Sequence, residues 1–228
     1  GAELFAWAGH HDAWEQDWLA ALVALLDASP RAVLAYPLDA RMDADGTPND
    51  HATAPFQTAG ERDPGRRLVA CARDACSGSA IYGLARVTAL ERAAVFDHVL
   101  RPDRLALAKL AVLGEFEQEP RVLWRRRMTG APTNRRQRAA SFPLGVPPAA
   151  RLPAALVHGL VLARWLARPG GGAEPPLRAA ALTGAYVGRV VARDARQFVL
   201  DRLLRLEERL PPRATAGARR LLGRAPRG

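Results

Sequence analysis

Two histidines and an aspartate follow the first apolar run of the chain, and residues of these types can bind a metal ion. Leu4 to Trp7 is apolar and is predicted to be the end of a buried strand, with a polar turn at Gly9, His10, His11 and Asp12 directly after it. A carboxylate at a rigid strand end suits a hard divalent cation, and neutral imidazole also binds such ions. Asp12 and His11 are therefore candidate ligands for Mn²⁺ or Mg²⁺. The alternative is that Asp12 only caps the helix that follows.

A second carboxylate, Asp103, lies in the first turn of a helix predicted at Pro102 to Leu113, which Gly114 closes. Backbone N–H groups at a helix start orient and stabilise a carboxylate, which could then deprotonate an attacking hydroxyl as a general base. An acidic residue at this position also stabilises the helix without any further role. The residues alone leave both interpretations open.

Two arginines follow the last predicted strand of the first half, Phe116 to Trp124. Arg125 and Arg127 could contact a diphosphate through charge-assisted hydrogen bonds. The alternative is a solvated basic turn.

The elements that must position these residues alternate between strands and helices. We predict strands at 4–7, 32–36, 80–84 and 116–124, helices at 15–27, 66–75, 102–113, 154–167 and 182–210, and a loop at 47–65. The first helix has an apolar stripe of Trp18, Leu19, Leu22, Val23, Leu25 and Leu26. This succession of elements indicates an α/β fold.

Charge divides the chain into two halves. Residues 1–120 carry 18 acidic and 11 basic side chains, whereas residues 121–228 carry 5 acidic and 22 basic ones. The basic half should seek anionic partners such as lipid headgroups or nucleic acid. Cys71 and Cys76 are the only cysteines, and their spacing matches no zinc or redox motif.

Several of these segments, taken in order, resemble family 2 glycosyltransferases of the GT-A fold. The central segment of that family, a strand that ends in an acidic turn before a Trp and a helix, is similar to FAWAGHHDAW at residues 5–14. Its acceptor-side segment is similar to AIYGLAR at 80–86, RPDR at 101–104 and LAVLGEF at 110–116. The resemblance covers about residues 4–130. Because the chain begins with Gly1 and this match begins midway through the family pattern, we expect a C-terminal portion that lacks the nucleotide-binding half.

The resemblance implies a partial GT-A domain that transfers a sugar, with inversion, from a nucleotide-diphosphate donor to an envelope, lipid or polysaccharide acceptor. It implies Asp12 and His11 as ligands of Mn²⁺ or Mg²⁺, Asp103 as the catalytic base, and Arg125 and Arg127 as contacts of the donor diphosphate. The portion alone is expected to be inactive.

The sequence departs from the family pattern at two positions. His11 stands where a first Asp is usual, and Met128 stands where His is usual. These departures support the alternative of a degenerate, non-catalytic glycosyltransferase-like module.

The predicted organisation has four parts. They are the metal and acceptor half (1–130), a Pro/Arg-rich linker (131–153), a helical C-terminal region (154–210) and a disordered basic tail (211–228). No segment is long enough to span a bilayer, since the best one, 154–166, falls short of the roughly 20 apolar residues needed.

The helix predicted at 182–210 pairs an apolar stripe with an arginine-rich face. It could lie on an anionic membrane or pack on the catalytic domain. We therefore expect a cytoplasmic enzyme, peripheral at the inner face of the plasma membrane. No nucleic-acid partner is expected, because the tail lacks aromatic residues between its arginines for base stacking and the acidic half would repel phosphates. A basic nucleic-acid-binding protein remains the competing function.

Overall fold

The computed structural model describes residues 1–52, 54–74, 79–128 and 152–207, except for the side chains of 50–52 and 197–207. The chain divides into two compact units, residues 1–189 and 190–228. The first unit contains a six-stranded mixed sheet and most of the helices, so the α/β class is confirmed in this coarse form. In the second, the described residues are helical, and Arg193 pairs with Asp194 at 2.9 Å. Most of the predicted linker and all of the predicted tail lie outside the described residues.

The sheet contains β1 (Leu4–Ala6), β2 (Ala13–Trp14), β3 (Ala32–Met42), β4 (Pro48–Ala52), β5 (Leu84–Arg86) and β6 (Glu115–Arg127). The strand order is β1-β5-β3-β6-β2, and β4 pairs with the end of β3. Only β3 and β6 are parallel; the other pairs are antiparallel. Because these two long strands lie side by side in the same direction, the chain leaves both at one edge of the sheet, here called the carboxyl edge.

Strands β3 and β6 are both longer than predicted. The sequence prediction ended β3 at Tyr36, and the next residue, Pro37, has no N–H for the ladder. The structure continues the strand by shifting register next to Pro37, where Pro37 faces Glu119 but Leu38 faces Val122. Such an irregularity lets the pairing resume beyond a proline. The extension carries β3 to Met42 and β6 to Arg127.

The helices of the sheet-containing region are α1 (Trp18–Ala28), α2 (Pro64–Asp74), α3 (Val87–Ala93) and α4 (Pro102–Leu113), with a 3₁₀ turn at Ser79–Tyr82. Helix α4 lies deepest: every residue from Leu105 to Val112 is buried. It shares one core cluster with residues of β3, the 3₁₀ turn, α3 and β6, including Leu34, Tyr36, Ile81, Leu90 and Phe116.

Gly114 sets the direction of α4. A Cβ atom at this position would lie 2.3 Å from Val33 Cγ1 and 2.7 Å from the Arg31 carbonyl oxygen, so only glycine allows the helix end to approach β3 this closely. The next residue, Glu115, donates its N–H to the same Arg31 carbonyl at 3.0 Å and begins β6. The end of α4 therefore lies against the start of β3, and the chain passes directly from α4 into β6.

Two further helices, α5 (Ala154–Leu166) and α6 (Pro176–Glu207), follow in the C-terminal region. Helix α5 is tied to α3 by the Trp165 indole N–H, which donates to the Arg92 carbonyl at 2.8 Å. In the first unit, Leu182 and Tyr186 of α6 are buried. For this part of α6 the packed-helix alternative is therefore correct. No helix among the described residues is both long and apolar enough to cross a membrane.

Several local predictions were wrong. Residues 47–65 include strand β4, and residues 79–82 form a 3₁₀ turn where a strand was expected, so that β5 begins only at Leu84. Helix α3 was not predicted. Helix α1 begins at Trp18 rather than Glu15, because Ala13–Trp14 pair with β6 and Glu15 donates its N–H to the Leu123 carbonyl at 3.0 Å. Residues of the predicted stripe and of β1 that remain exposed are Leu19, Val23 and Phe5.

Candidate functional site

The Gly9–Asp12 turn is anchored to the end of β6 by its carboxylate. The Asp12 side chain is only 3% exposed. One of its oxygens accepts the Trp124 indole N–H at 3.1 Å, and the other accepts the Arg127 backbone N–H at 3.0 Å. The capping alternative is wrong, because the residue at the start of α1 is Asp17, whose side chain makes no capping hydrogen bond. Asp12 instead fixes the turn at the carboxyl edge.

An aromatic group surrounds this anchor. Trp124, 1% exposed, stacks on Trp14 with ring centroids 5.2 Å apart and also contacts Tyr82 at 4.9 Å. Trp14 in turn contacts Trp18 at 4.1 Å. These rings bury the Trp124 indole, so its N–H depends on Asp12 for a hydrogen-bond acceptor.

The side chains of His11 and Asp12, the two predicted metal ligands, lie close together. His11 Nε2 lies 3.7 Å from an Asp12 carboxylate oxygen, and the His11 side chain is 42% exposed. Both atoms could reach one ion at bond lengths of about 2.0–2.2 Å. A carboxylate oxygen that accepts one hydrogen bond still has a lone pair. Magnesium is commonly held by one or two carboxylates together with substrate phosphates and waters, so Asp12 fits such an ion, whereas the imidazole of His11 is a less usual ligand for it.

Among the described residues, the Gly9–Asp12 turn included, no three or more His, Cys, Asp or Glu side chains come together as a metal-binding group.

Arg127 joins two turns at the carboxyl edge. Its Nε donates to the His11 carbonyl at 2.9 Å, and its Nη1 donates to the Ala44 carbonyl at 2.8 Å. Ala44 lies in the predicted turn at 43–46, which is confirmed by the Gly46 N–H donating to the Asp43 carbonyl at 3.0 Å. Arg127 thus brings a positive charge beside His11 and Asp12, and those three predicted site residues lie together.

The other residues predicted after β6 have different surroundings. Arg125 forms an ion pair with Glu15 on the neighbouring segment. The Met128 backbone N–H donates to the Met42 carbonyl at 2.9 Å and extends the β3–β6 pairing.

Asp103 lies in the first turn of α4, as predicted, and is half-buried. Among the residues that the structure describes, none forms a hydrogen bond or an ion pair with its carboxylate, and its charge acts on the imidazole of His158. Arg101, two residues before Asp103, has a left-handed backbone with φ of 58°.

Two other acidic residues that could replace Asp103 as a base are already paired. Asp97 accepts a hydrogen bond from the buried Lys109 ammonium at 2.6 Å. Glu115 accepts one from Arg31 at 2.5 Å, and this contact holds the pKa of the Glu115 carboxyl below its ordinary value. Neither carboxylate is as available as that of Asp103.

A contact between aromatic rings links the two parts of the site. Trp7, directly after β1, lies 5.1 Å from Phe96 between ring centroids, and Phe96 belongs to the segment that leads into α4. Asp97 in that segment then pairs with Lys109 inside α4. The segment before Asp103 therefore borders the chain that leads into the Asp12 turn.

Sequence reasoning missed Asp39. It lies in β3 opposite Trp124 and is 7% exposed, without a hydrogen-bond or ion-pair partner among the described residues. Burial above all, then Cys71 and the Asp39 charge, raise the pKa of Tyr36, whose hydroxyl donates to the Phe56 carbonyl. The signal that could have found Asp39 is an acidic residue within a continuous strand, but the strand was predicted to end before it.

No protein-family model matches the chain, and no curated protein matches its sequence.

Proposed function

We propose that the chain is the metal and acceptor half of a nucleotide-sugar-dependent glycosyltransferase of GT-A type. In this proposal the donor is a nucleoside diphosphate sugar, and the acceptor is a saccharide or a lipid-linked saccharide. Asp12 and His11 would hold Mn²⁺ or Mg²⁺, and the ion would supply positive charge for a departing diphosphate. Arg127, close to both, adds positive charge on the same side.

The observation that carries the proposal is the state of the Asp103 carboxylate. It is half-buried in the first turn of α4, and no described residue pairs with it. A helix N-terminus stabilises the ionised form that a base needs. The two competing carboxylates, Asp97 and Glu115, are each held in an ion pair.

The chemistry assigned to Asp103 is a single proton transfer. As the acceptor hydroxyl oxygen attacks the anomeric carbon, its proton passes to the Asp103 carboxylate. The bond between that carbon and the diphosphate oxygen breaks on the opposite face, and its electron pair leaves with the nucleoside diphosphate. Attack from the opposite face inverts the configuration of the sugar.

The basic C-terminal region has a place in the same proposal. Residues 121–228 carry a large excess of arginine. They would hold the enzyme at the anionic inner face of the plasma membrane, where lipid-linked acceptors are presented.

The test of Asp103 is the Asp103→Asn substitution in the full-length protein. Release of nucleoside diphosphate is measured over a panel of UDP-, GDP- and dTDP-hexoses with Mn²⁺ and a saccharide acceptor mixture. Loss of a general base should lower kcat about 10² to 10⁴-fold while donor binding is retained. Asp27→Asn, at an exposed position of α1, is the matched control. A kcat for Asp103→Asn close to that of the control would place the base elsewhere.

A second candidate is a non-catalytic module of the same fold. The observation that favours it is that both Asp12 oxygens already accept hydrogen bonds from β6. On this alternative the turn is only structural, and neither Mn²⁺ nor any nucleotide sugar in the panel would bind.

A further inference from the structure

A buried histidine of α5 contacts the segment that precedes Asp103. His158 is 3% exposed. Its Nε2 lies 2.7 Å from the Leu100 carbonyl oxygen, and its Nδ1 lies 3.0 Å from the Tyr186 hydroxyl oxygen. A carbonyl can only accept, so Nε2 carries the hydrogen and donates it. In the neutral ring Nδ1 then accepts, and the Tyr186 hydroxyl donates to it.

The contact falls at a demanding point of the backbone. Leu100 is followed by Arg101, whose φ of 58° is left-handed, and then by Pro102, the first residue of α4. A non-glycine residue in this conformation is strained, and the proline after it restricts its backbone further. Such a conformation persists only when its surroundings fix it. The Leu100 carbonyl belongs to the peptide group that joins Leu100 to the strained Arg101. A hydrogen bond to this carbonyl therefore fixes the orientation of that peptide group.

We infer that His158 is a positioning residue for Asp103. Through Leu100 it fixes the left-handed turn at Arg101 and so aims the first turn of α4, which carries the carboxylate. Tyr186 fixes the imidazole in turn. The C-terminal helices are then part of the machinery of the acceptor site, a role that the sequence did not predict for them. The inference rests on the proposed function, because it presupposes that Asp103 is the base.

The charges around the imidazole suit this role. Burial lowers the pKa of His158, and the flanking Arg101 and Arg104 act in the same direction, while Asp103 and the Leu100 carbonyl oppose them. The net effect keeps the ring neutral near pH 7. A neutral ring holds a fixed tautomer, with one donor for Leu100 and one acceptor for Tyr186.

The first experiment measures the positioning without any substrate. Amide hydrogen exchange of residues 98–105 is compared in the wild-type chain and in His158→Leu, His158→Gln and Tyr186→Phe. Leu162→Ala is the matched control, because Leu162 is fully buried one turn later in the same helix. His158→Leu should accelerate exchange in this segment about tenfold, as expected for the loss of one buried hydrogen bond, and Tyr186→Phe somewhat less. His158→Gln, which keeps an N–H donor, should restore most of the protection.

The second experiment measures turnover in the full-length protein with the nucleotide sugar of the panel that gives the highest rate. His158→Leu should lower kcat about tenfold with little change in donor KM, and in the Asp103→Asn background it should have almost no further effect. Local exchange that is equal in His158→Leu and Leu162→Ala would overturn the inference. So would an undiminished kcat in His158→Leu while Asp103→Asn is inactive. If His158→Leu accelerates exchange of residues 98–105 as expected but Asp103→Asn is fully active, the proposed base is wrong and His158 only stabilises the fold.

Discussion

Replacement of Asp12 separates its structural role from a role in metal binding. Asp12→Ala removes the acceptor of two hydrogen bonds and leaves the indole N–H of the buried Trp124 without a partner. A hydrogen bond to a charged group contributes about 1.5–3 kcal/mol, and an unsatisfied buried donor costs about 1–3 kcal/mol. The Arg127 backbone N–H also loses its acceptor, but this residue is half-buried, so a water molecule can replace part of the lost hydrogen bond. We therefore expect a loss of about 3 kcal/mol in the free energy of unfolding.

The assay is urea unfolding followed by far-UV circular dichroism, because Trp fluorescence would respond to the altered surroundings of Trp124 itself. In a thermal scan the same loss corresponds to about 6–12 °C in Tm for a domain of this size. Asp12→Asn keeps the shape of the side chain but can accept only one of the two hydrogen bonds. We therefore expect a loss of about 2 kcal/mol in the free energy of unfolding. The exposed Asp27→Asn is the control and should unfold with the wild-type midpoint.

A double-mutant cycle with Trp124→Phe tests the assignment of the hydrogen bond itself. Residues in contact typically show coupling energies of about 0.5–3 kcal/mol, and we expect about 1–2 kcal/mol here. The reasoning fails if Asp12→Ala unfolds within about 0.5 kcal/mol of wild type, the range of ordinary surface substitutions. The metal role is measured on the same proteins: Mn²⁺ should raise the Tm of the wild type but not that of Asp12→Ala or His11→Ala.

Two further predictions concern stability. Burial holds the pKa of His158 below its unfolded value of about 6.5, so in the window between the two values the unfolded chain binds more protons and stability falls as pH decreases. Urea midpoints between pH 5 and 8 should show this slope in the wild type and a flatter profile in His158→Gln. Gly83→Ala should cost about 1–3 kcal/mol, because the added Cβ would lie 2.4 Å from the Ala35 carbonyl oxygen and force β5 away from β3. Gly184→Ala, with open space around it in α6, should instead stabilise by up to about 1 kcal/mol; equal effects of the two substitutions would contradict the packing argument.

The sequence was sufficient where short-range chemistry decides the structure. Helix α4 has the predicted bounds, Pro102–Leu113, because a proline at its start, an acidic residue in its first turn and a glycine after its end act locally. The turns at Gly9–Asp12 and at Asp43–Gly46 were predicted for the same reason. The position of Asp103 within its helix therefore followed from the sequence alone.

Only the tertiary structure decided which of these residues meet. Asp12 bonds to Trp124 and Arg127, more than 110 positions away, and His158 reaches Leu100 across 58 positions. Strands β3 and β6 continue past prolines because each supplies the other's hydrogen-bond partners, a gain that local propensity does not contain. Asp39 remained hidden for this reason, since it lies in the part of β3 that only the pairing with β6 creates. Periodicity identifies an apolar face, but the packing of the whole chain determines which residues of that face become buried.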